Sequence, residues 1–500
     1  MTADHGVTFR DRERLSRTRA HETALDCLNA GIEAALPERL IRTAVSVDDG
    51  RLRIEGVDGA VGTYDLAAHD RIVLLGAGKA AAGAAGALEG VLDRAGRGVD
   101  EGVVVTDGAT DEAGERPPDA PSPAAIDVCP GDHPLPSERG VESTRRVLDA
   151  AARVTESDLV LAVVTGGASA LLAAPAGPLS VDDLRALTSG LLASGASIEE
   201  INAVRKHCSA VKGGQVARAV APATTVTLAV SDVIGDPLAT IGSGPTVPDP
   251  STYADALAVL DRYALDAPAA VRDHLRAGRD GRVPETPSEG DPAFDRSATF
   301  VVGNGRSALD AAATAAATRG YEPLVLSASV RGEAREAGTA HAAIAEECVA
   351  RGSPVEPPAV LLSGGETTVT LEDAPDPGIG GPNAEFAAGA ALALATGPLG
   401  DGSEARDGET KPEAAASRVV VASVDTDGRD GPTDAAGALA DATTLDPERA
   451  RDALDRHDVY PCFDEAGALL RTGATGTNVN DLRAVVVEPE DAPTRRYSNR

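Results

Sequence analysis

The hydrophobic positions of this 500-residue chain fall into short, nearly continuous apolar runs, each followed by a glycine-rich turn and an alanine-rich segment. Such runs are typical of strands buried on both faces, and the alanine-rich segments are typical of helices. Eight strands are predicted in this way, at 72–75, 103–105, 159–164, 225–230, 299–302, 323–326, 360–362 and 419–424. Because strands and helices alternate, the pattern predicts an α/β protein with parallel sheets covered on both faces.

The N-terminal region has a different pattern. Residues 1–20 are rich in charge and are predicted to form a mobile leader. Apolar residues at helical spacing from Leu25 to Leu36 predict a helix. The segment 45–54 alternates apolar and polar residues around an Asp-Gly pair, which predicts a β-hairpin.

Loop composition suggests where the domains divide. Three stretches are rich in proline, glycine and acidic residues: 111–125, 279–297 and 397–417. We place the main boundary within 279–297. The prediction is a leader at 1–20, an N-terminal domain at 20–280 and a C-terminal domain at 297–490.

The charge balance narrows the class of partner. The chain has 46 Lys and Arg against 78 Asp and Glu, for a net charge of -32. So acidic a surface repels nucleic acid and anionic membranes, so small molecules are the expected partners. Arginine is favoured over lysine, and the chain has one Met, no Trp and 2% aromatic residues. This composition indicates a halophilic enzyme, since molar salt shortens the Debye length to about 3 Å and so weakens the repulsion within an acidic surface.

The sequence lacks recognisable targeting signals, which favours a cytoplasmic protein. No apolar run approaches the roughly 18 residues of a membrane span, and the charged N-terminus lacks the apolar core of a secretion signal. The five cysteines are scattered without a CxxC pair, as expected of a reduced cytoplasmic protein without a zinc ribbon.

Lysine is almost eliminated from the chain, and its few positions are informative. Of four lysines, Lys79, Lys206 and Lys212 lie in or beside glycine-containing motifs, and Lys411 lies in an acidic stretch. An ammonium group is a compact charge suited to phosphate or carboxylate. The alternative is that these lysines remain in a loop or helix by chance and have no role in binding.

The motif GAGKAA follows the first predicted strand of the repeating pattern. Gly76 and Gly78 would let backbone N–H groups approach an anion at a helix N-terminus. The same glycines, with Ala81, match the relaxed dinucleotide fingerprint, so a nicotinamide-dependent oxidoreductase remains an alternative. Lys79 favours phosphate, because a dinucleotide turn needs no ammonium there.

Two further motifs carry candidate anion ligands. In TGGASALL, Gly166, Gly167 and Ser169 offer backbone and hydroxyl donors to a carboxylate or phosphate, unless they form only a tight turn with a serine cap. In INAVRKH, Arg205 and Lys206 could reach an anion or simply complement a helix C-terminus.

The segment SDVIGDPLATIGSGPTVPDP begins just past a predicted strand, and its long rigid loop is expected to line a site. Asp232 there could accept a proton from a substrate hydroxyl or hold Mg²⁺. A capping or turn role is the alternative.

The C-terminal half adds polar groups at other predicted strand ends. Candidate binding residues are Gly364, Gly365 and Glu366 in SGGET and Asn383 in GGPNAEF. The motif VDTDGRDGPTD concentrates four aspartates, and its first two, Asp425 and Asp427, are candidate Mg²⁺ ligands. It is no EF-hand, since glutamate is absent from position 12 of the loop.

Taken in order, these motifs resemble the class II glycerate kinase family over roughly residues 20–490. The resemblance implies a Rossmann-like N-terminal domain with a parallel sheet, a smaller α/β C-terminal domain of MOFRL type, and an active site in the cleft between them. It implies ATP- and Mg²⁺-dependent phosphorylation of D-glycerate to 2-phosphoglycerate. A homodimer is the candidate assembly.

For that reaction, Lys79, Asp232 and Arg205 are the candidate catalytic residues. We expect Lys79 to neutralise the transferring phosphoryl group, Arg205 to bind the glycerate carboxylate, and Asp232 to orient or deprotonate the 2-hydroxyl.

One motif departs from the family, which often has GGRNQEF where this chain has GGPNAEF. Pro382 therefore stands in place of an arginine, and Arg205 or Arg429 is a candidate to supply that charge. Some family members carry the label hydroxypyruvate reductase, which is the NAD(P)H-dependent alternative above. A non-catalytic nucleotide or sugar-acid binding protein is the third hypothesis.

Overall fold

The computed structural model describes residues 6–107, 125–371, 378–397 and 417–490. Almost all of the loops predicted at 111–125 and 397–417, and Lys411 with them, lie outside the described residues. The chain forms two compact units. Pro37–Asn304 is called here the central unit, and Met1–Leu36 together with Gly305–Arg500 the terminal unit.

The described residues of the central unit form two sheets. A small antiparallel sheet is formed by β1 (Val45–Asp48), β2 (Arg51–Glu55) and β3 (Val61–Asp65). The predicted hairpin is confirmed as β1–β2, with Asp49 and Gly50 at positive φ between the strands, as a two-residue turn requires. The large sheet is parallel and is built from β4 (Ile72–Ala77), β5 (Glu101–Thr106), β6 (Ile126–Pro130), β7 (Leu159–Val164), β8 (Thr224–Val230) and β9 (Ser297–Gly303).

The strand order of the large sheet is β6-β5-β4-β7-β8-β9. The chain moves outward from β4 to β6, returns to place β7 beside β4, and then moves outward in the other direction. This reversal creates a topological switch point between the carboxyl ends of β4 and β7, where doubly wound sheets bind their ligands. Every residue of β4 and β7 is buried, as the predicted parallel sheet requires.

Helices connect the strands of the central unit. They are Pro37–Ala44, Ala81–Arg94, Glu138–Ala151, Ala168–Leu171, Val181–Leu192, Ile198–His207, Gln215–Val220, Tyr253–Arg262 and Ala269–Arg279.

The described strands of the terminal unit form a mixed sheet in the order β10-β11-β15-β12-β13-β14. Its strands are β10 (Glu322–Val330), β11 (Ala359–Gly365), β12 (Val419–Asp425), β13 (Gly437–Asp441), β14 (Leu469–Leu470) and β15 (Asp481–Val487). Among its described strands, only β10 and β11 pair in parallel. The expectation of a parallel sheet is wrong for this unit, because β15 lies between β11 and β12 and is antiparallel to both.

The described helices of the terminal unit come from both ends of the chain. They are Arg12–Leu15, Arg19–Ala34, Gly305–Thr318, Ala334–Arg351, Pro382–Thr396, Pro447–Asp455 and Tyr460–Ala466. No helix among the described residues of either unit is long and apolar enough to cross a membrane.

The unit boundaries differ from the domain limits predicted at residues 20, 280 and 297. The segment 279–297 leads into β9, which pairs with β8 and so completes the central sheet. The helix Arg19–Ala34 packs in the terminal unit, where a Cβ on Gly31 would meet Leu482. Phe9, within the predicted leader, is only 3% exposed.

Candidate active site

Two glycine turns meet at the switch point of the central sheet. Gly78 has a φ of 135°, and a Cβ there would lie 2.0 Å from Thr165 Oγ1, so only glycine fits. The Lys79 N–H donates to the Gly166 carbonyl at 2.8 Å, and the Ala80 N–H donates to Thr165 Oγ1 at 3.1 Å. These bonds fix the GAGK and TGGAS motifs against each other.

The helix that begins after the first turn has an open N-terminus. Its N-cap residue, Ala80, provides no side-chain hydrogen bond, and no acidic residue lies in the first turn of Ala81–Arg94. The positive end of the helix dipole is thus not neutralised by an acidic or capping side chain of the helix itself, which favours an anion at this position.

Lys79 and Asp232 converge on the second turn. A Cβ on Gly167 would lie 3.2 Å from Lys79 Cγ, and a Cβ on Gly166 would lie 2.4 Å from Asp232 Oδ2. Burial raises the pKa of Asp232, and the nearby charge of Lys79 partly opposes that rise. The exposed His133 ring also approaches Gly167, with its Cδ2 3.3 Å from the same position. An ammonium and a carboxylate of raised pKa therefore flank one backbone turn.

Two cations approach one backbone oxygen beside this turn. Arg205 Nη2 donates to the Ser169 carbonyl at 3.2 Å, and Lys212 Nζ donates to the same oxygen at 2.5 Å. Within the described part of the chain, neither side chain forms an ion pair. Burial lowers the pKa of Arg205 to about 10, and burial together with the charge of Arg205 lowers the pKa of Lys212 well below its ordinary range. This uncompensated positive charge suits a carboxylate or phosphate ligand.

Lys206 does not join Arg205. Its Nζ donates to Asp249 Oδ1 at 3.1 Å, and the side chains are 5% and 0% exposed. Successive residues of a helix point about 100° apart, so Arg205 and Lys206 face different surroundings. The ammonium predicted to bind substrate or nucleotide already has a carboxylate partner within the protein.

The Ser169 side chain is also engaged. Its Oγ lies 2.6 Å from Ser243 Oγ, and Ser243 Oγ lies 3.0 Å from Asn202 Oδ1. Sequence reasoning did not single out Ser243 or Asn202. The available signal was the rigid loop of residues 231–250, which does reach this group through Ser243.

In the terminal unit, β15 brings two of the polar motifs together. Asp481, its first residue, is in register with Gly365 of β11 on one side and Asp425 of β12 on the other. Gly364 pairs with Leu482 one position further along. The SGGET and VDTD motifs therefore lie at one edge of the sheet, where Glu366 is exposed.

Asn383 is engaged inside this group. Its Nδ2 donates to Asp481 Oδ1 at 2.7 Å, and its Oδ1 accepts from Ser423. Asp430 caps the helix Pro382–Thr396 by accepting from the Asn383 and Ala384 N–H groups, each at 2.8 Å. Asn383 is 1% exposed, so the structure gives it internal partners instead of the predicted ligand. Its neighbour Pro382 is the first helical residue, where proline loses no helical hydrogen bond.

Asp425 and Asp427 are adjacent carboxylates at the end of β12. The Asp427 N–H donates to Asp425 Oδ1 at 3.0 Å. The pKa of Asp425 is raised well above its ordinary range, mainly by burial and to a smaller extent by the negative charge of Asp427. Arg429 is exposed, and its backbone N–H donates to Asp427 Oδ1 at 2.8 Å.

Arg483 is the main residue of this region that sequence reasoning missed. It is 0% exposed, pairs with Asp481, and donates to Thr367 Oγ1 at 2.9 Å. Its Nε and Nη1 have no hydrogen-bond partner in the segments that the structure describes. Its position within the apolar run DLRAVVV did not indicate that the arginine side chain would be buried in the core.

The structure thus sorts the candidate residues into two groups. In the central unit it brings together Gly76, Gly78, Lys79, Gly166, Gly167, Ser169, Arg205 and Asp232. In the terminal unit it brings together Gly364, Gly365, Glu366, Asn383, Asp425 and Asp427.

Comparison with known proteins adds independent information. Residues 23–276 match the model of a domain of unknown function, DUF4147, and residues 359–481 match the MOFRL family. An Agrobacterium vitis protein provisionally named hydroxypyruvate reductase is 42% identical over 83% of this chain and 87% of its own length. A D-glycerate 2-kinase of Thermotoga maritima is 37% identical over 92% of this chain and 96% of its own. The crystal structure of a T. maritima glycerate kinase superposes with a TM-score of 0.74 at 35% identity, covering 93% of this chain and 99% of that one.

Proposed function

The chain belongs to the glycerate 2-kinase family, which joins a DUF4147 domain to a MOFRL domain, and we propose that it transfers the γ-phosphoryl group of ATP to the 2-hydroxyl of D-glycerate. One observation carries the proposal beyond family membership. At the switch point of the central sheet, Arg205 and Lys212 lie beside Lys79 and the Asp232 carboxylate of raised pKa, and neither Arg205 nor Lys212 forms an ion pair with a described residue. A small hydroxy acid and a phosphoryl group need these charges.

Arg205 is proposed to bind the carboxylate of glycerate. A guanidinium can donate two parallel hydrogen bonds to a carboxylate, which fixes the orientation of the substrate. Lys212 donates to the same Ser169 carbonyl as Arg205 and adds positive potential there. Binding the anion would supply the countercharge that Arg205 lacks in the protein alone.

Asp232 is proposed to accept the proton of the 2-hydroxyl. The hydroxyl oxygen forms a bond to the γ-phosphorus, the bond from that phosphorus to the β–γ bridging oxygen breaks, and ADP leaves. A carboxylate of raised pKa is a better base than an ordinary aspartate.

Lys79 is proposed to stabilise the charge of the transferring group. Its ammonium, the Gly166 and Gly167 turn, and the open helix N-terminus offer positive potential in one place. Phosphoryl transfer depends mostly on such positioning and neutralisation. Gly76 and Gly78 would let the backbone approach the phosphates closely.

The terminal unit is proposed to bind nucleotide and Mg²⁺ through Gly364, Gly365, Glu366 and the Asp425–Asp427 pair. No group of three or more His, Cys, Asp and Glu side chains in the described residues could hold a metal ion. Two crowded carboxylates nevertheless fit Mg²⁺, which is commonly held by one or two carboxylates together with waters and substrate phosphates. Mg²⁺ bound there would supply neutralisation of phosphate charge. Adaptation to salt, the cytoplasmic location and a homodimer stay predictions.

The reductase is the second candidate, favoured by the name of the A. vitis relative and by the match of Gly76, Gly78 and Ala81 to a dinucleotide turn. One experiment separates the two. The purified protein is assayed in molar KCl with Mg²⁺, ATP and D-glycerate, and the product is identified by phosphorus NMR. We expect 2-phosphoglycerate. Oxidation of NADH by hydroxypyruvate without any use of ATP would replace the kinase by the reductase.

A further inference from the structure

A chain of three polar side chains leads from the proposed carboxylate site into the core of the central unit. Ser169 Oγ lies 2.6 Å from Ser243 Oγ, which donates to Asn202 Oδ1 at 3.0 Å. Ser243 is 0% and Asn202 4% exposed, whereas Ser169 is only partly buried. Only the Ser169 end is therefore open to a ligand.

The direction of these hydrogen bonds limits what Ser169 can bind. A serine hydroxyl has one proton. Ser243 gives its proton to Asn202, so Ser243 accepts in its bond with Ser169, and Ser169 donates. Ser169 then offers a ligand only lone pairs. Carboxylates and phosphates are also acceptors, so the predicted role of Ser169 as a donor to an anion is not compatible with this arrangement. A ligand hydroxyl is compatible.

The open acceptor lies next to the proposed carboxylate-binding cation. Asn202 and Arg205 are three residues apart on the helix Ile198–His207 and so share a face. Arg205 donates to the backbone carbonyl of the same Ser169 whose hydroxyl begins the chain. A cation and a hydroxyl acceptor so close together match a small acid that has a hydroxyl group within two carbons of its carboxylate.

We infer that Ser169 accepts a hydrogen bond from the 3-hydroxyl of glycerate and thereby determines substrate specificity, with Ser243 and Asn202 as positioning residues that fix its proton. The inference rests on the proposed function, in which Asp232 serves the reacting 2-hydroxyl and leaves the 3-hydroxyl for Ser169. The site then distinguishes glycerate from a 2-hydroxy acid that has a methyl group in place of the hydroxymethyl group.

The test compares two ligands that differ only in this hydroxyl. Dissociation constants of D-glycerate and D-lactate are measured by NMR titration for the wild type and Ser169→Ala. Loss of one neutral hydrogen bond should weaken D-glycerate binding roughly 3- to 10-fold and leave D-lactate binding unchanged. Ser194→Ala is the matched control, since it removes a hydroxyl that bonds the Leu191 carbonyl at a helix end, and both affinities should stay as they are. An equal loss for both ligands, or no loss for D-glycerate, would overturn the inference.

A second variant tests the positioning residues. Ser243 has a φ of 63°, a conformation that glycine adopts readily, so Ser243→Gly should fold. It removes the acceptor of the Ser169 proton, and the preference for D-glycerate over D-lactate should fall by a factor of about two or more. An unchanged preference would exclude Ser243 and Asn202 from this role.

Failure of the inference can be told apart from failure of the proposed function. Binding constants need no turnover, whereas release of ADP by the wild type with D-glycerate tests the kinase directly. A wild type that releases ADP while Ser169→Ala keeps its preference would refute the inference alone. A wild type that binds D-glycerate through Ser169 without releasing ADP would refute the kinase alone.

Discussion

Arg205→Met removes a cation that forms no ion pair with any residue in the described part of the fold. Burial lowers the pKa of Arg205 to about 10, roughly 2.5 below its ordinary value, which corresponds to about 3 kcal/mol against the charged form in the folded state. Methionine keeps an unbranched side chain of good helix propensity. Loss of the hydrogen bond to the Ser169 carbonyl costs about 1 kcal/mol. The free energy of unfolding of the ligand-free variant should therefore rise by up to about 2 kcal/mol.

The same variant should lose its response to substrate. At a D-glycerate concentration of about 100 times its dissociation constant, the wild type should gain about 2.7 kcal/mol of unfolding free energy. Arg205→Met should gain almost nothing at that concentration, since the carboxylate has lost its partner. The assay is urea unfolding followed by circular dichroism at fixed salt, with and without D-glycerate.

Arg71→Met is the matched control, because it removes an arginine that does have a countercharge. Arg71 Nη2 lies 2.7 Å from Asp158 Oδ2, and the Asp158 side chain is 1% exposed. The Arg71 side chain is 36% exposed and Asp158 still accepts from Thr155, so its removal should cost about 1–3 kcal/mol, with the response to D-glycerate preserved. The reasoning would be refuted if Arg205→Met were destabilised as much as Arg71→Met and still responded to D-glycerate.

Four further outcomes are expected. Lys79→Ala should lower kcat roughly 10²-fold in the coupled assay, the scale of one preorganised charge contact, and an unchanged kcat would remove Lys79 from the mechanism. Because burial raises the pKa of Asp232, kcat/KM should fall as the pH decreases through that raised pKa, which lies above the ordinary aspartate value of about 4. The residual activity of Asp232→Asn should not show this fall. Gly78→Ala should lower stability by about 2–4 kcal/mol in thermal unfolding, since its Cβ would meet Thr165 Oγ1 at 2.0 Å, and a smaller change would mean that the turn adjusts easily. Asp425→Asn should raise the Mg²⁺ concentration for half-maximal activity about 10-fold, and an unaltered Mg²⁺ titration would place the metal elsewhere.

Most of the central unit could be predicted because its signals are local. Apolar runs mark β4 and β7, and a glycine at the carboxyl end of each strand permits the close approach between their turns. Gly78 shows the limit of such reasoning. Sequence indicates a turn that needs glycine, but the specific neighbour, Thr165, directly follows β7 and lies more than 80 residues away in the chain.

The roles of individual cations could not be predicted, because local pattern does not say which face of a helix meets a partner. Arg205 and Lys206 are adjacent and chemically alike, yet Lys206 has a buried carboxylate partner, whereas Arg205 has no carboxylate partner among the described residues. The deciding residue is Asp249, in a loop more than 40 positions later. Lys212, which approaches Arg205, looked no different from Lys206 in sequence.

The polar group of the terminal unit was recognised only in part for a similar reason. Asp425 and Gly365 stood out at the ends of predicted strands. The strand that joins them, β15, was not predicted, and its Asp481 and Arg483 supply the ion pair at the centre of the group. Cross-strand register of this kind appears only once the strand order is known.

The way the terminal unit is assembled has a consequence for biosynthesis. Its helix Arg19–Ala34 leaves the ribosome before the central unit, whereas β15, which lies in the middle of its sheet, leaves the ribosome after the central unit. The central unit is continuous in sequence and can fold in the meantime. Until residues 481–487 have been translated, the apolar face of that helix lacks one of its final partners, so the nascent chain exposes apolar surface that favours aggregation.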